Sequence, residues 1–120
     1  MTQDWFSRLT IAVAGILGAI GIIAAAGASH AGDERILGAL SLIALTQAPA
    51  LLALGLLAPK QLIARIATTL IALGALIFCA DLATRHFTGA ALFPMSAPIG
   101  GSAMILGWAL LVPAAFLLRR

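Results

Sequence analysis

The sequence predicts an all-α membrane protein, a single integral domain in which four transmembrane helices form a bundle with short connections. Hydrophobic residues make up 62% of the 120 residues and charged residues only 9%, whereas soluble domains carry about 25% charged residues. The mean hydropathy is +1.13. The apolar residues form four blocks of spanning length, namely residues 9–28, 36–58, 66–83 and 99–118.

The composition also excludes other classes of protein. A small soluble domain buries only about two-thirds of its surface, which is too little to hide so many apolar side chains. One cysteine excludes a disulfide-stapled secreted domain. The net charge of +3 results from seven cations and four carboxylates, and the cations are dispersed and form no basic stripe. The expected partner is therefore the lipid bilayer and not a nucleic acid.

The first block, residues 9–28, is uncharged and carries small residues at helical spacing, namely Ala14, Gly18, Gly21 and Ala25. Hydrophobic burial cannot hold helices together in lipid, so close backbone approach at small residues must contribute. This stripe predicts a helix at the centre of the bundle, and a homodimer seam is the alternative. The block also resembles a signal peptide, but its length of about 20 residues exceeds the usual 7–15 and favours a retained helix.

The second block, residues 36–58, contains Gln47 near the bilayer midplane and Pro49 two residues later. Proline removes a backbone donor, and a neighbouring polar side chain commonly satisfies the carbonyl that is freed. The Gln47 amide needs a partner in lipid. One interpretation is a hydrogen bond to another helix, and the second is a polar point on a solute path. The first interpretation is favoured.

The third block, residues 66–83, carries Asp81 near its end, and Arg85 follows at i+4. A carboxylate at this depth requires a partner. Arg85 is one partner, and the free backbone N–H groups of residues 96–101, where the fourth helix begins, are a second. We therefore predict that Asp81 tethers the long connection formed by residues 84–98.

A functional interpretation of the same region groups Asp81 with His30, His86 and Cys79 as a proton relay or a metal site. The two histidines lie in separate connections, and no pair has metal-ligand spacing. No metal and no cofactor are therefore expected.

The fourth block, residues 99–118, completes an even number of spans, so both termini share one side. That side holds five cations, namely Arg8, Lys60, Arg65, Arg119 and Arg120. The opposite side holds Arg35 and Arg85. The excess predicts that both termini are cytoplasmic.

Three stretches resemble the domain of unknown function 423 family, the YgdD-like small bacterial membrane proteins. They are residues 47–55, residues 74–82 with Arg85 and Gly89 behind them, and residues 92–101. The last stretch is the most specific and contains Phe93, Pro94, Met95, Pro98, Gly100 and Gly101. Many family members have a histidine where Gln47 stands. The resemblance implies a four-span protein of the bacterial inner membrane without an assigned activity.

The functional hypotheses follow from these features. The first is a non-enzymatic accessory or structural bundle that acts through a second copy or another membrane protein. The alternative is a carrier or channel for a small solute, a proton or a lipid, with Gln47, Pro49 and Asp81 along the path. An enzyme is not expected, because the sequence shows no nucleophile–base pair, carboxylate pair, metal motif or phosphate loop.

Overall fold

The computed structural model describes residues 4–30 and 33–118, and these residues form four α-helices. The helices are α1 (Trp5–His30), α2 (Glu34–Leu57), α3 (Leu62–Thr88) and α4 (Ser96–Ala115). All four are long and apolar enough to cross a membrane. The predicted all-α architecture is confirmed, and the described residues contain no strand.

The helices differ from the predicted spans mainly at their ends. The third helix extends to Thr88, so residues 84–88, predicted as a connection, continue the helix. The fourth begins at Ser96, three residues before the predicted span, and ends at Ala115. Hydropathy marks where lipid contact ends, whereas a helix ends where its backbone is capped. The long connection is therefore shorter than predicted and comprises residues 89–95, which we call the α3–α4 loop.

The four helices pack as two hairpins that lie side by side. Helix α1 packs on α2, α3 packs on α4, and the hairpins meet between α2 and α3. Helix α1 touches α3 only slightly and does not approach α4. The prediction that α1 occupies the centre of the bundle is wrong, because α1 packs mainly on α2, and Gly18 and Gly21 of its small-residue stripe face α2. The central pair is α2 and α3.

The predicted stripe does pack closely, although unevenly. Ala14 and Gly21 are buried, whereas Gly18 and Ala25 are half-buried. A Cβ atom at Gly21 would lie 2.6 Å from Cγ of Leu45. The Leu45 side chain therefore fits against α1 only because residue 21 is a glycine. The alternative of a homodimer seam on α1 stays a prediction.

Helices α3 and α4 approach each other through glycine. A Cβ atom at Gly100 would lie 2.9 Å from the carbonyl oxygen of Gly74 and 2.9 Å from the backbone nitrogen of Phe78. A Cβ atom at Gly107 would lie 2.9 Å from the carbonyl oxygen of Ala67. The two backbones therefore touch at these levels, which is the close packing expected where lipid gives no hydrophobic driving force.

Candidate functional site

Asp81 is the centre of the most polar buried cluster at the end of the bundle that carries the α3–α4 loop. Its side chain is 0% exposed. One carboxylate oxygen, Oδ2, accepts a hydrogen bond from Nε of Arg85 at 2.7 Å. The other, Oδ1, accepts from the Ser96 hydroxyl at 2.6 Å and from the backbone N–H of Leu92 at 3.0 Å. Both oxygens are thus occupied.

The predicted tether between Asp81 and the connection is present, but two of its donors differ from the prediction. Arg85 is the partner expected at i+4. The other donors are the Ser96 side chain and the Leu92 backbone, and not the free backbone N–H groups predicted at residues 96–101. Helix α4 begins at Ser96, and Gly100 already serves the contact with α3.

The α3–α4 loop closes on the same serine. The backbone N–H of Ser96 donates to the carbonyl oxygen of Phe93 at 3.1 Å. Met95, which follows Pro94, has φ 69° and so lies in the left-handed region, which costs a non-glycine residue about 1–2 kcal/mol. Pro98 lies in the first turn of α4, where a missing N–H costs no helical hydrogen bond. The Asp81 bonds offset the strain at Met95.

The Asp81 cluster holds the backbone of the α3–α4 loop in place. A buried carboxylate that receives three hydrogen bonds has its charge neutralised and its lone pairs engaged. Cys79, two residues earlier, is buried in the core. Within residues 4–30 and 33–118, no group of three histidine, cysteine or acidic side chains lies close enough to hold a metal ion.

The two histidines of the metal or relay interpretation have different surroundings. His30 is exposed at the last position of α1. Nδ1 of His86, in the last turns of α3, lies 2.8 Å from Oδ2 of Asp33, which precedes α2. This pair joins residues 53 positions apart and was not predicted from the sequence. Its only signal was that both residues flank spans on the same side of the membrane.

Gln47 has the partner that its depth requires. Its Oε1 accepts a hydrogen bond of 2.8 Å from Nε1 of Trp108 on α4, and its Nε2 donates to the Thr46 hydroxyl at 3.2 Å. The hydroxyl of Thr46 in turn donates to the carbonyls of Leu42 and Ile43. The predicted interhelical bond therefore exists, and it bridges α2 and α4, whose backbones are not in close contact.

A second polar cluster lies at the opposite end of the bundle, which we call the N-terminal face. Oδ2 of Asp4 accepts from Nζ of Lys60 at 2.9 Å and from Nη1 of Arg65 at 3.1 Å. The Lys60 bond, the backbone N–H of Ser7 and the Arg65 bond together hold the pKa of Asp4 well below its usual range. The guanidinium of Arg65 also lies 4.2 Å from the ring centre of Phe6. Asp4 was not predictable as part of a site, because its partners Lys60 and Arg65 lie 56 and 61 residues further along the chain.

The family model described as "Protein of unknown function (DUF423)" matches residues 17–101. This chain belongs to the DUF423 family. No curated protein and no solved structure matches it. The family assignment confirms the resemblance drawn from the sequence.

The DUF423 match contains the whole Asp81 cluster and ends at the glycine pair in the first turns of α4. It includes Gln47 but not its donor Trp108, and it excludes Asp4. Three features described above lie within the DUF423 region, namely the loop tethered by Asp81, the Asp33–His86 pair and the close helix contact at Gly74.

Proposed function

We propose that this DUF423 protein is a non-enzymatic accessory bundle that binds a second membrane protein, or a second copy of itself, through its α3–α4 loop. The observation that carries the proposal is the use of both Asp81 oxygens to hold that loop in one conformation. A loop that is ordered in advance loses little conformational entropy when a partner binds.

The loop presents apolar side chains from this fixed backbone. Phe87, just before the loop, is 81% exposed, and Met95 is 65% exposed. Leu92 and Phe93 are also exposed. Aromatic residues and methionine are enriched in the buried cores of protein interfaces. A non-enzymatic role is supported by the side-chain oxygens of Asp81 and Gln47, which accept hydrogen bonds from donors within the protein.

The test is affinity purification from native membranes in mild detergent, with the double variant Phe93→Ala and Met95→Ala. The expected result is a stoichiometric partner or a defined homo-oligomer with the wild-type chain, and its loss with the double variant. Phe116→Ala is the matched control, because Phe116 is 86% exposed at the other end of α4. A wild-type chain that is strictly monomeric and without a partner would contradict the proposal.

The alternative, a carrier or channel for a small solute, a proton or a lipid, has less support from the geometry. Asp81 contacts the α3–α4 loop, whereas Gln47 contacts α4 from α2, and each is bonded within the protein. Flux into proteoliposomes separates the two functions. Flux that Asp81→Asn abolishes, in a variant that still folds, would favour the carrier.

We also propose that the protein resides in the inner membrane of a bacterium with both termini in the cytoplasm. Of the described cations, Arg8, Lys60 and Arg65 lie at the N-terminal face, and Arg35 and Arg85 lie at the other. Arg119 and Arg120, which the prediction also counted, lie outside the described residues. Labelling of single cysteines at Ser29 and Lys60 by an impermeant reagent in intact cells tests it, and the expected result is labelling at position 29 alone.

A further inference from the structure

Helices α2 and α4 leave an unfilled space between them at the N-terminal face. They are bridged at mid-membrane by Gln47 and Trp108. From Trp108, α4 continues for seven residues to Ala115, a distance of about 10 Å. Between this bridge and the N-terminal face lies a cavity of about 770 Å³, which we call the α2–α4 cavity. Sites for small organic ligands typically enclose about 300–1,000 Å³.

The walls of the α2–α4 cavity are apolar and its rim is polar. The apolar walls are formed by the last residue of α2 and the turn after it, through Leu57 and Pro59, and by the last residue of α4 and the segment after it, through Ala115, Leu117 and Leu118. Lys60 and Gln61 supply the polar rim. An occupant must therefore have an apolar part that enters between two transmembrane helices and a polar part at the membrane surface.

The charge at the rim selects an anion. The ammonium group of Lys60 has three N–H donors, of which one is bonded to Asp4. Its side chain is 71% exposed, so the other donors are free to bind a ligand. The single carboxylate of Asp4 is also shared with Arg65. The N-terminal face thus carries more positive than negative charge around the cavity.

We propose that the α2–α4 cavity binds one anionic glycerophospholipid, with an acyl chain between α2 and α4 and the phosphate on Lys60. The apolar walls match the chain, and the excess positive charge of Lys60 and Arg65 over Asp4 matches the headgroup. Basic pockets between transmembrane helices bind anionic lipid headgroups by the same combination. The proposal does not depend on the partner binding proposed for the opposite face.

The test is native mass spectrometry of the purified full-length chain in neutral detergent, titrated with phosphatidylglycerol and, separately, with phosphatidylcholine. The expected result is one tightly bound phosphatidylglycerol and a clear preference over phosphatidylcholine. Lys60→Gln is expected to weaken phosphatidylglycerol binding about fivefold, the effect of one lysine near a phospholipid surface. Arg35→Gln, on the opposite face, is the matched control and should leave binding unchanged.

Two further variants separate binding from folding. Asp4→Asn removes the Lys60–Asp4 bond but frees the ammonium, so it should keep or increase phosphatidylglycerol binding. Ala115→Trp fills the cavity and should abolish binding, whereas Ile105→Trp, on an exposed part of α4, should not. All variants are first compared for helical content. Equal binding of both lipids, or equal losses with Lys60→Gln and Asp4→Asn, would overturn the proposal.

Discussion

The hydroxyl of Ser96 donates a 2.6 Å hydrogen bond to the carboxylate of Asp81, and neither side chain is exposed. This bond joins the first residue of α4 to the last turns of α3 across the loop between them. Ser96→Ala removes one of two donors on Oδ1 and leaves a buried charge undercompensated. We expect the free energy of unfolding to fall by about 1–3 kcal/mol.

Equilibrium unfolding in mixed micelles, with sodium dodecyl sulfate as denaturant, measures this loss. Ser29→Ala is the control, because Ser29 is exposed and its hydroxyl reaches only a carbonyl of its own helix at 3.4 Å. An effect of Ser96→Ala no larger than that of Ser29→Ala would mean that the Ser96–Asp81 bond contributes nothing to stability.

The adjacent glycines of α4 give a matched pair of variants. Gly100→Ala places a Cβ atom 2.9 Å from backbone atoms of α3, so the helices must separate and lose contact. Gly101→Ala places its Cβ atom 3.8 Å from the Phe78 ring, an ordinary contact. We expect Gly100→Ala to destabilise the fold by about 1–3 kcal/mol and Gly101→Ala by much less. The same unfolding assay decides, and equal effects would refute the close approach.

The Gln47–Trp108 bond is the second interhelical polar contact whose strength can be measured. A double-mutant cycle with Gln47→Met and Trp108→Phe isolates it. We expect a coupling energy of about 0.6 kcal/mol, the average for such bonds in membrane proteins. A coupling indistinguishable from zero would show that the bond does not hold α2 to α4.

The stability of the N-terminal face should depend on pH through Asp4. Lys60, the Ser7 N–H and Arg65 favour the charged carboxylate, so its pKa is lower in the folded state than in the unfolded chain. The contribution of the Asp4 carboxylate to the free energy of unfolding is therefore fully present above the unfolded pKa of about 3.9. This contribution is lost as the pH falls from there toward the folded pKa.

Thermal unfolding in a neutral detergent, followed from pH 7 to pH 2.5, measures this dependence. The difference in Tm between the wild-type chain and Asp4→Asn should be constant down to about pH 4 and shrink below it. A difference that stays constant to pH 2.5 would indicate that Asp4 does not titrate with the fold.

The sequence alone predicted the parts of the structure that are local or set by the solvent. The four blocks follow from the length of an apolar run, and the Asp81–Arg85 pair follows from one turn of helix. Helix order was not predictable in the same way, because in lipid nearly every face of each helix is apolar. The order of the helices in the bundle is instead set by backbone contacts such as that between Gly74 and Gly100.

Contacts between residues far apart in the chain were beyond the sequence for the same reason. Asp4 meets Lys60 across 56 residues, and Gln47 meets Trp108 across 61. The sequence showed that a buried amide needs a partner but offered several donors at similar depth. Trp108 is selected only by the tertiary arrangement, which brings its side chain on α4 within hydrogen-bond distance of Gln47 on α2.

The side-by-side arrangement of the two hairpins bears on how the chain enters the bilayer during synthesis. Each hairpin contains its own principal contact, α1 with α2 and α3 with α4. The contacts between α1 and α2 can therefore form before α3 and α4 have been synthesised. Membrane insertion is expected to proceed in two steps, first α1 with α2 and then α3 with α4. The turn that contains Lys60 separates the two hairpins.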